Sequence, residues 1–456
     1  MAAVDDFPAL VPHHFLTPPP LQDELTTQTS EAQQKTLEEC LPLLRAAGDP
    51  TRSPFDFNEF GLPELRKEDH IDFLHENLSV FPAPYVGLDA SRPWLVYWGL
   101  MALYFLGEDV MPMRERVMST FYPLQNRSGG FGGGHGHDSH LATTYGALLS
   151  IALAGGESAY RMIDRRAMWH WLGRLKQADG AFQISEGGEK DTRGAYCALI
   201  VISLLSLPIE LPPDSPARDA GLKTFNDRLG TYISRCQTYE GGISGTPGNE
   251  AHGAYVFCAL GCLCLLGPPD KTLRRYLDLD ALIYWMSSRQ YAPEGGLAGR
   301  TNKLVDGCYS HWLGNCWPLV QAALSGSSSN DGHGVNPGAG DLYSSEGLAR
   351  YIICCCQATP GGLRDKPSKR PDSYHTCYTL SGLSTTKHFH YYQASDEISQ
   401  FDSAFSWRVA EKRTSHSESN PAAFDDGTDV KPMHPVFAIP HHSVEGLRQW
   451  SGQQPW

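Results

Sequence analysis

A chain of 456 residues with 41% apolar and 19% charged side chains has the composition of a globular protein, long enough for one large domain or two ordinary ones. Its net charge of −14, from 37 basic and 51 acidic side chains, leaves no global basic field to draw nucleic acid or anionic membrane, so any anion site has to be a local basic cluster. The longest apolar stretch, Ala195 to Leu207, is too short to span a bilayer, and the start MAAVDDFPAL lacks a leader's basic and apolar regions, so the twelve cysteines are expected as free thiols in a reducing, cytoplasmic compartment.

In chain order, residues 1–74 read as an irregular, Pro-rich extension. SRPWLVYW then sets Trp94 and Trp98 four residues apart. Between 125 and 385 one unit recurs: a glutamine (Gln125, Gln177, Gln237, Gln290, Gln357), then a glycine turn (SGGF, DGAF, EGGI, EGGL, PGGL), then an apolar helix. The turn glycines Gly129, Gly180, Gly241, Gly295 and Gly361 lie roughly 50 to 65 residues apart, a period that points to stacked helical hairpins. Segments ahead of the turns, such as 162–177 and 221–237, have amphipathic spacing; those after them, such as 194–205 and 253–267, are apolar all round and have to be buried. The alternation predicts an all-α fold, an α/α barrel or toroid over 75–456 with inner and outer helix layers and the glycine turns at one rim. A flexible insert at 325–340 and a polar loop over 395–431 are expected to interrupt it. A helical-repeat scaffold without chemistry would carry the same repeat.

Three groups of residues could do chemistry. Asp306 and Cys308 stand two apart in LVDGCYS, and His375 lies in the matching region of the next unit, DSYHTCY. Asp, Cys and His are zinc ligands, and three protein ligands with an open position make a catalytic site. On spacing alone a packed Cys and a hydrogen-bonded His are the commoner explanation; the shared place within the repeat is what favours a metal. Arg300 and Lys303 precede this pair in GRTNKLVDGCY, with His252 at the equivalent position one unit earlier and Arg193 two units earlier. Cations at helix starts oppose the helix dipole, which favours a phosphate cradle over ordinary polarity. Tyr145, Tyr196, Tyr255, Tyr309 and Tyr374, with Trp94, Trp98 and Trp312, suggest an apolar funnel for a long hydrocarbon. DDGTD (Asp425–Asp429) matches a diphosphate–magnesium motif but reads as loop; His135 and His137 read as loop residues, and Cys354–Cys356 as packing.

GGFGGG, EAHGAYVFC, GRTNKLVDGCYSHW, GGLRDKPSK, DSYHTCYTLSGLS and PMHPVFAI, in order over roughly 75–455, closely resemble the signature segments of protein farnesyltransferase β subunits. The resemblance implies a heterodimer with a helical-repeat α subunit that contributes a further lysine. It implies transfer of farnesyl from farnesyl diphosphate to the cysteine of C-terminal CaaX sequences, with one Zn²⁺ on Asp306, Cys308 and His375 and Mg²⁺ near Asp365. It carries catalysis at the diphosphate onto His252, Arg300, Lys303 and Tyr309. Arg193, Tyr196, Tyr255, Cys258 and Trp312 join them in holding farnesyl diphosphate, and Trp94, Trp98, His140, Ala142, Arg193 and Tyr374 face the peptide. Trp94, Tyr378 and Asp365 are similar to the fifteen-carbon branch. The alternatives are a type I geranylgeranyltransferase β subunit and a terpene cyclase on the same barrel, whose DxDD motif is missing here.

Overall fold

A computed structural model describes residues 25–44, 55, 63–81, 83–325, 342–393, 401–411 and 429–456. After α1 (Gln28–Leu44), the described residues form six helical hairpins that close into a ring. The outer helices are α2 (Lys67–Ser79), α4 (Arg114–Phe121), α6 (Arg165–Leu175), α8 (Leu229–Cys236), α10 (Leu279–Ser287) and α13 (Ser345–Tyr351, extended by a π turn to Cys356). The inner helices are α3 (Arg92–Phe105), α5 (Leu141–Ala154), α7 (Thr192–Leu204), α9 (Gly253–Leu266), the broken pair α11 (Tyr309–Trp312) and α12 (Cys316–Ser325), and α14 (Ser373–Lys387). Each inner helix packs on the next, and α14 packs back on α3, which shuts the ring.

Patterning explains the layers. In α6 the buried residues Met168, Trp171, Leu172 and Leu175 form one stripe, so the other face meets water. In α9 all but three of the positions from Gly253 to Leu266 are buried, as the unbroken apolar run demands. The outer helices α6, α10 and α13 start on side-chain caps, with Asp164, Asp278 and Ser344 accepting from Ala167, Ala281 and Gly347 N–H.

The recurring Gln and Gly have specific jobs in closing the ring. Gln125, Gln237 and Gln290 each donate to a backbone carbonyl and accept a backbone N–H just ahead of the next outer helix (Met162 and Asp164, Asp278, Ser344). Gln357 does the same to Glu64 O and Arg66 N–H, tying the last turn to the first hairpin. Gln177 is the exception, donating to Leu175 O within its own repeat. Gly241, at φ +98°, presses against the carbonyl of Ala281, and a Cβ there would fall well inside the 3.0 Å that real Cβ atoms keep. Gly241→Ala combines left-handed backbone strain with a backbone clash. It is expected to destabilise by at least about 2 kcal/mol, read as a lowered unfolding midpoint.

The far end of the barrel is closed by 432–439. Val436 and Ala438 carbonyls accept from the hydroxyls of Tyr196 and Tyr97, and Met433 to Ile439 are buried. Helix α15 (His441–Gln453) then packs outside α5 and α7.

Several expectations need correcting. Helix α1 lies within the segment read as irregular, and α2 is part of the ring although it begins ahead of residue 75. Only Leu229–Cys236 of 221–237 is helical. Asp227 accepts the N–H groups of Lys223 and Thr224 and folds the backbone into a turn, and Arg228 takes a left-handed conformation (φ 61°). The fold also includes a small sheet. β1 (His388–Tyr392) pairs antiparallel with β2 (Trp407–Glu411), in register Tyr392 with Trp407, so part of 395–431 is strand rather than loop. The insert at 326–340 and the first four residues of the DDGTD motif, 425–428, lie outside the described residues. No helix among the described residues is long and apolar enough to cross a membrane.

Candidate metal centre and anion cradle

The inner helices begin in a common register at one rim. His140, His252, Asp306 and Asp372 each donate their N–H to the turn of their own repeat, at Phe131, Ile243, Leu297 and Leu363 O. The residue after the cap reaches the next repeat, as Leu141, Thr192, Gly253 and Gly307 N–H bond Ile184, Gly245, Gly299 and Asp365 O. His140, Asp191, His252, Asp306 and Asp372 therefore form a ring of cap residues. Each side chain accepts a backbone N–H two or three residues on: His140 Nδ1 from Ala142, Asp191 from Arg193 and Gly194, His252 Nδ1 from Ala254, Asp306 from Cys308 and Asp372 from His375. The positive ends of the inner helices thus converge on this rim.

This register corrects one sequence reading. The counterpart of His252 is Asp191, and Arg193 occupies the place that Cys308 holds in the fourth repeat. The shared Gly-Ala-Tyr misleads by two positions because α7 starts two residues earlier relative to it than α9 does.

Asp306, Cys308 and His375 each offer a ligand atom, and these atoms all lie within 4.8 Å of one another. His375 Nε2 faces Asp306 Oδ1 at 3.4 Å, while Nδ1 bonds Asp372 Oδ2 at 2.7 Å. Asp372 thus fixes the imidazole's orientation and leaves Nε2 free toward the cluster, as orienting carboxylates of metal-bound histidines do. The electrostatics call for a cation. Burial opposes a charged His375, yet the hydrogen bonds and charges of Asp306 and Asp372 outweigh it and raise its pKa to about 10. Burial and the Asp306 carboxylate push the Cys308 thiol well up. A divalent ion would satisfy the carboxylate and thiolate together, and the Asp–Cys–His set fits zinc with a fourth position for another ligand. Asp372→Asn is expected to weaken metal affinity 10–100-fold, measured by competition with a chelator.

Asp365 is not part of that cluster. Its carboxylate is paired with the buried ammonium of Lys366, and its backbone carbonyl accepts from Tyr351 and Gly307. Burial and the nearby Asp306 charge raise the Asp365 pKa against the pull of Lys366. A magnesium ion there fits only in part, as one carboxylate shared with a lysine would have to be completed by ligand oxygens.

Tyr309, next in sequence to Cys308, meets His252 beside the metal cluster. Tyr309 Oη lies 3.1 Å from His252 Nε2. Burial, then the charge of Arg300, lowers the His252 pKa to about 4, so the ring is neutral. Its Nδ1 accepts from Ala254, so the ring proton sits on Nε2 and is donated to Tyr309. The Tyr309 hydroxyl keeps its own proton for another acceptor. Gly299 makes room for that ring, since a Cβ would run into it. Arg300 and Lys303 stand on the loop before Asp306. Arg193 is held by Asp191 (Nε–Oδ2 2.9 Å) and lies over the Tyr255 ring.

Below the rim the inner helices present a continuous aromatic lining. Trp94 touches Trp98 and Tyr145, Tyr145 touches Tyr196, Tyr196 touches Phe257, and Phe257 touches Trp312. Trp312 donates to Tyr374 Oη (3.1 Å), and Tyr374 and Tyr378 close the circle onto Trp98. Cys258 is buried on the same inner helix as Tyr255. His140 and Ala142 sit at the start of α5. Sequence reasoning missed Asp372, Asp191 and Phe257; the aspartates were findable as cap-type residues directly ahead of inner helices, whereas Phe257 had no signal apart from its burial pattern.

Three comparisons bear on this architecture. The prenyltransferase alpha-alpha toroid domain matches residues 65–439. A protein farnesyltransferase subunit beta of Pyricularia oryzae is 49% identical over 439 residues, covering 95% of this chain and 82% of the relative, and one of Schizosaccharomyces pombe is 38% identical over 428 residues, covering 94% and 97%. The solved Candida albicans protein geranylgeranyltransferase-I complexed with GGPP shares the fold, with TM-score 0.61 at 19% identity over 85% of this chain and 99% of that one.

Proposed function

Because this chain belongs to the prenyltransferase α/α toroid family, among the protein farnesyltransferase β subunits, we propose that it is the zinc-bearing subunit of a cytoplasmic heterodimer that farnesylates the cysteine of C-terminal CaaX sequences. The observation that carries the reading is an Asp–Cys–His cluster with the Tyr309–His252 pair beside it and a ring of aromatic side chains next to it, which supports a metal site, an anion cradle and an apolar lining together. The α subunit would bring one more cation to the rim.

Asp306, Cys308 and His375 would hold Zn²⁺, which when bound lowers the pKa of a coordinated thiol and so supplies a thiolate at neutral pH. The chain's own residues do the rest. Asp372 keeps His375 pointed at the cluster. Arg300, Lys303 and the helix ends hold the diphosphate. The Tyr309 hydroxyl, which accepts from His252 and so keeps its proton, donates to the oxygen on which charge grows as the C1–O bond breaks. Tyr374, Trp312 and Trp98 keep water from the reacting carbon. Asp365 would serve magnesium only by sharing its carboxylate with Lys366.

Trp94 limits the depth of the lining. Its ring is half-buried and set against Trp98 and Tyr145. Trp94→Thr removes that bulk and is expected to raise use of a twenty-carbon donor relative to the fifteen-carbon one by about 10-fold or more, on the ~1–3 kcal/mol that added methylenes command in an apolar pocket. The direct test is transfer to a CaaX peptide from each donor by the chain co-expressed with its α partner. Preference for fifteen carbons is expected; preference for twenty would move the chain to the geranylgeranyl branch.

A further inference from the structure

The cradle contains a carboxylate as well as cations. Glu250 Oε2 accepts from Arg300 Nη1 at 2.8 Å, across the boundary between the third and fourth repeats. Both side chains reach solvent, Glu250 at 56% and Arg300 at 37% exposure, so the pair is adjustable rather than locked. The same carboxylate acts on His252, opposing the effect of Arg300 on that ring. A negative charge thus sits in contact with one cradle residue and beside another.

The loop carrying Arg300 does not depend on Glu250 for its position. Thr301 Oγ1 donates to Glu240 Oε2 (2.8 Å) and accepts from the buried Arg289 Nη1 (2.7 Å), while Trp285 Nε1 donates to the same Glu240 oxygen (3.2 Å). Glu240 therefore anchors the loop, while the hydrogen bond of Glu250 goes to the Arg300 side chain and not to the loop backbone.

Resting on the reading that Arg300 contacts the diphosphate, we infer that Glu250 is a positioning residue that weakens the cradle's hold on diphosphate by competing for the Arg300 guanidinium. An anion bound on Arg300 meets the Glu250 charge within a few ångströms, where charges near a protein surface change affinity by a few-fold. The physical benefit falls on the product. Free diphosphate carries more charge than its prenyl ester, so repulsion by Glu250 is larger for the leaving product than for the donor and speeds its exit.

The test is titration calorimetry of inorganic diphosphate into the co-expressed heterodimer, without divalent cations. Glu250→Gln should bind about two- to five-fold more tightly than the parent, and Glu250→Lys more tightly still, with both gains shrinking at high salt. Arg300→Gln should weaken binding, and Glu250→Gln should gain less in the Arg300→Gln background than in the parent. Glu250→Asp should stay near the parent. Weaker or unchanged binding in Glu250→Gln, with Arg300→Gln still impaired, would overturn the competition and leave the cradle intact; that is the pattern a purely structural Glu250 would give. Undiminished binding in Arg300→Gln would overturn the cradle assignment itself, and the competition with it.

Discussion

His375→Ala is expected to strip the chain of its metal and abolish detectable transfer while farnesyl diphosphate binding survives. Of the three residues that would hold the metal, His375 comes from the fifth repeat, and Asp306 and Cys308 come from the fourth. Two neighbouring ligands on one short turn make a weak chelate, so the loss in metal affinity should exceed the 10–100-fold that removing an orienting partner costs. Metal content separates this from misfolding. The variant should elute as a folded heterodimer with little zinc. Its donor affinity should stay within a few-fold of the parent, because His252, Arg300, Lys303 and Tyr309 belong to the third and fourth repeats, and the hydrogen bonds of His375 go to Asp306 and Asp372 instead. A variant with full zinc and undiminished transfer would remove His375 from the site.

Tyr309→Phe should slow the chemical step by about 10²–10³-fold, the loss on removing one preorganised donor to a developing oxyanion. Single-turnover kinetics isolate that step from product release. Donor binding should change little, since the hydroxyl is worth most when charge has built up on the leaving oxygen. The geometry supplies an internal check. Gly299→Ala places a methyl against the Tyr309 ring and should slow the same step without removing the hydroxyl. If Tyr309→Phe is harmless, the 3.1 Å bond to His252 is structural and the developing charge is met by Arg300 and Lys303 alone.

The parts of this fold readable from sequence were those in which one physical demand recurs. The Gly turns and the Gln residues repeat because each hairpin must press its turn against the next outer helix and satisfy the backbone ahead of it, as Gly241 does with Ala281 and Gln237 with Asp278. The buried inner helices were legible because a helix apolar all round has one destination. Helix α1 was not, because QTSEAQQKTLEECLPLL buries only Thr36, Cys40 and Leu44, too little apolar spacing to announce a helix. The β1–β2 pair was hidden because its strands are separated by a polar stretch and their pairing is set by tertiary contact. At the site, the ligand types and their neighbourhood were visible, but the register was not. Gly-Ala-Tyr recurs in α7 and α9 two residues out of phase with the caps, so a backbone hydrogen-bond pattern was needed to equate Asp191 with His252. Asp372 went unnoticed for a related reason: its work is done on His375, three residues away, and a cap and a metal-orienting carboxylate look alike in sequence.

If Asp306, Cys308 and His375 hold a zinc ion on which transfer depends, the decisive experiment is transfer from farnesyl diphosphate to a CaaX peptide by the heterodimer stripped with a chelator and then reconstituted. Activity should vanish on stripping and return with about one equivalent of Zn²⁺ per chain, while Mg²⁺ alone should not restore it. Full transfer from a complex shown by metal analysis to contain no zinc would refute that dependence.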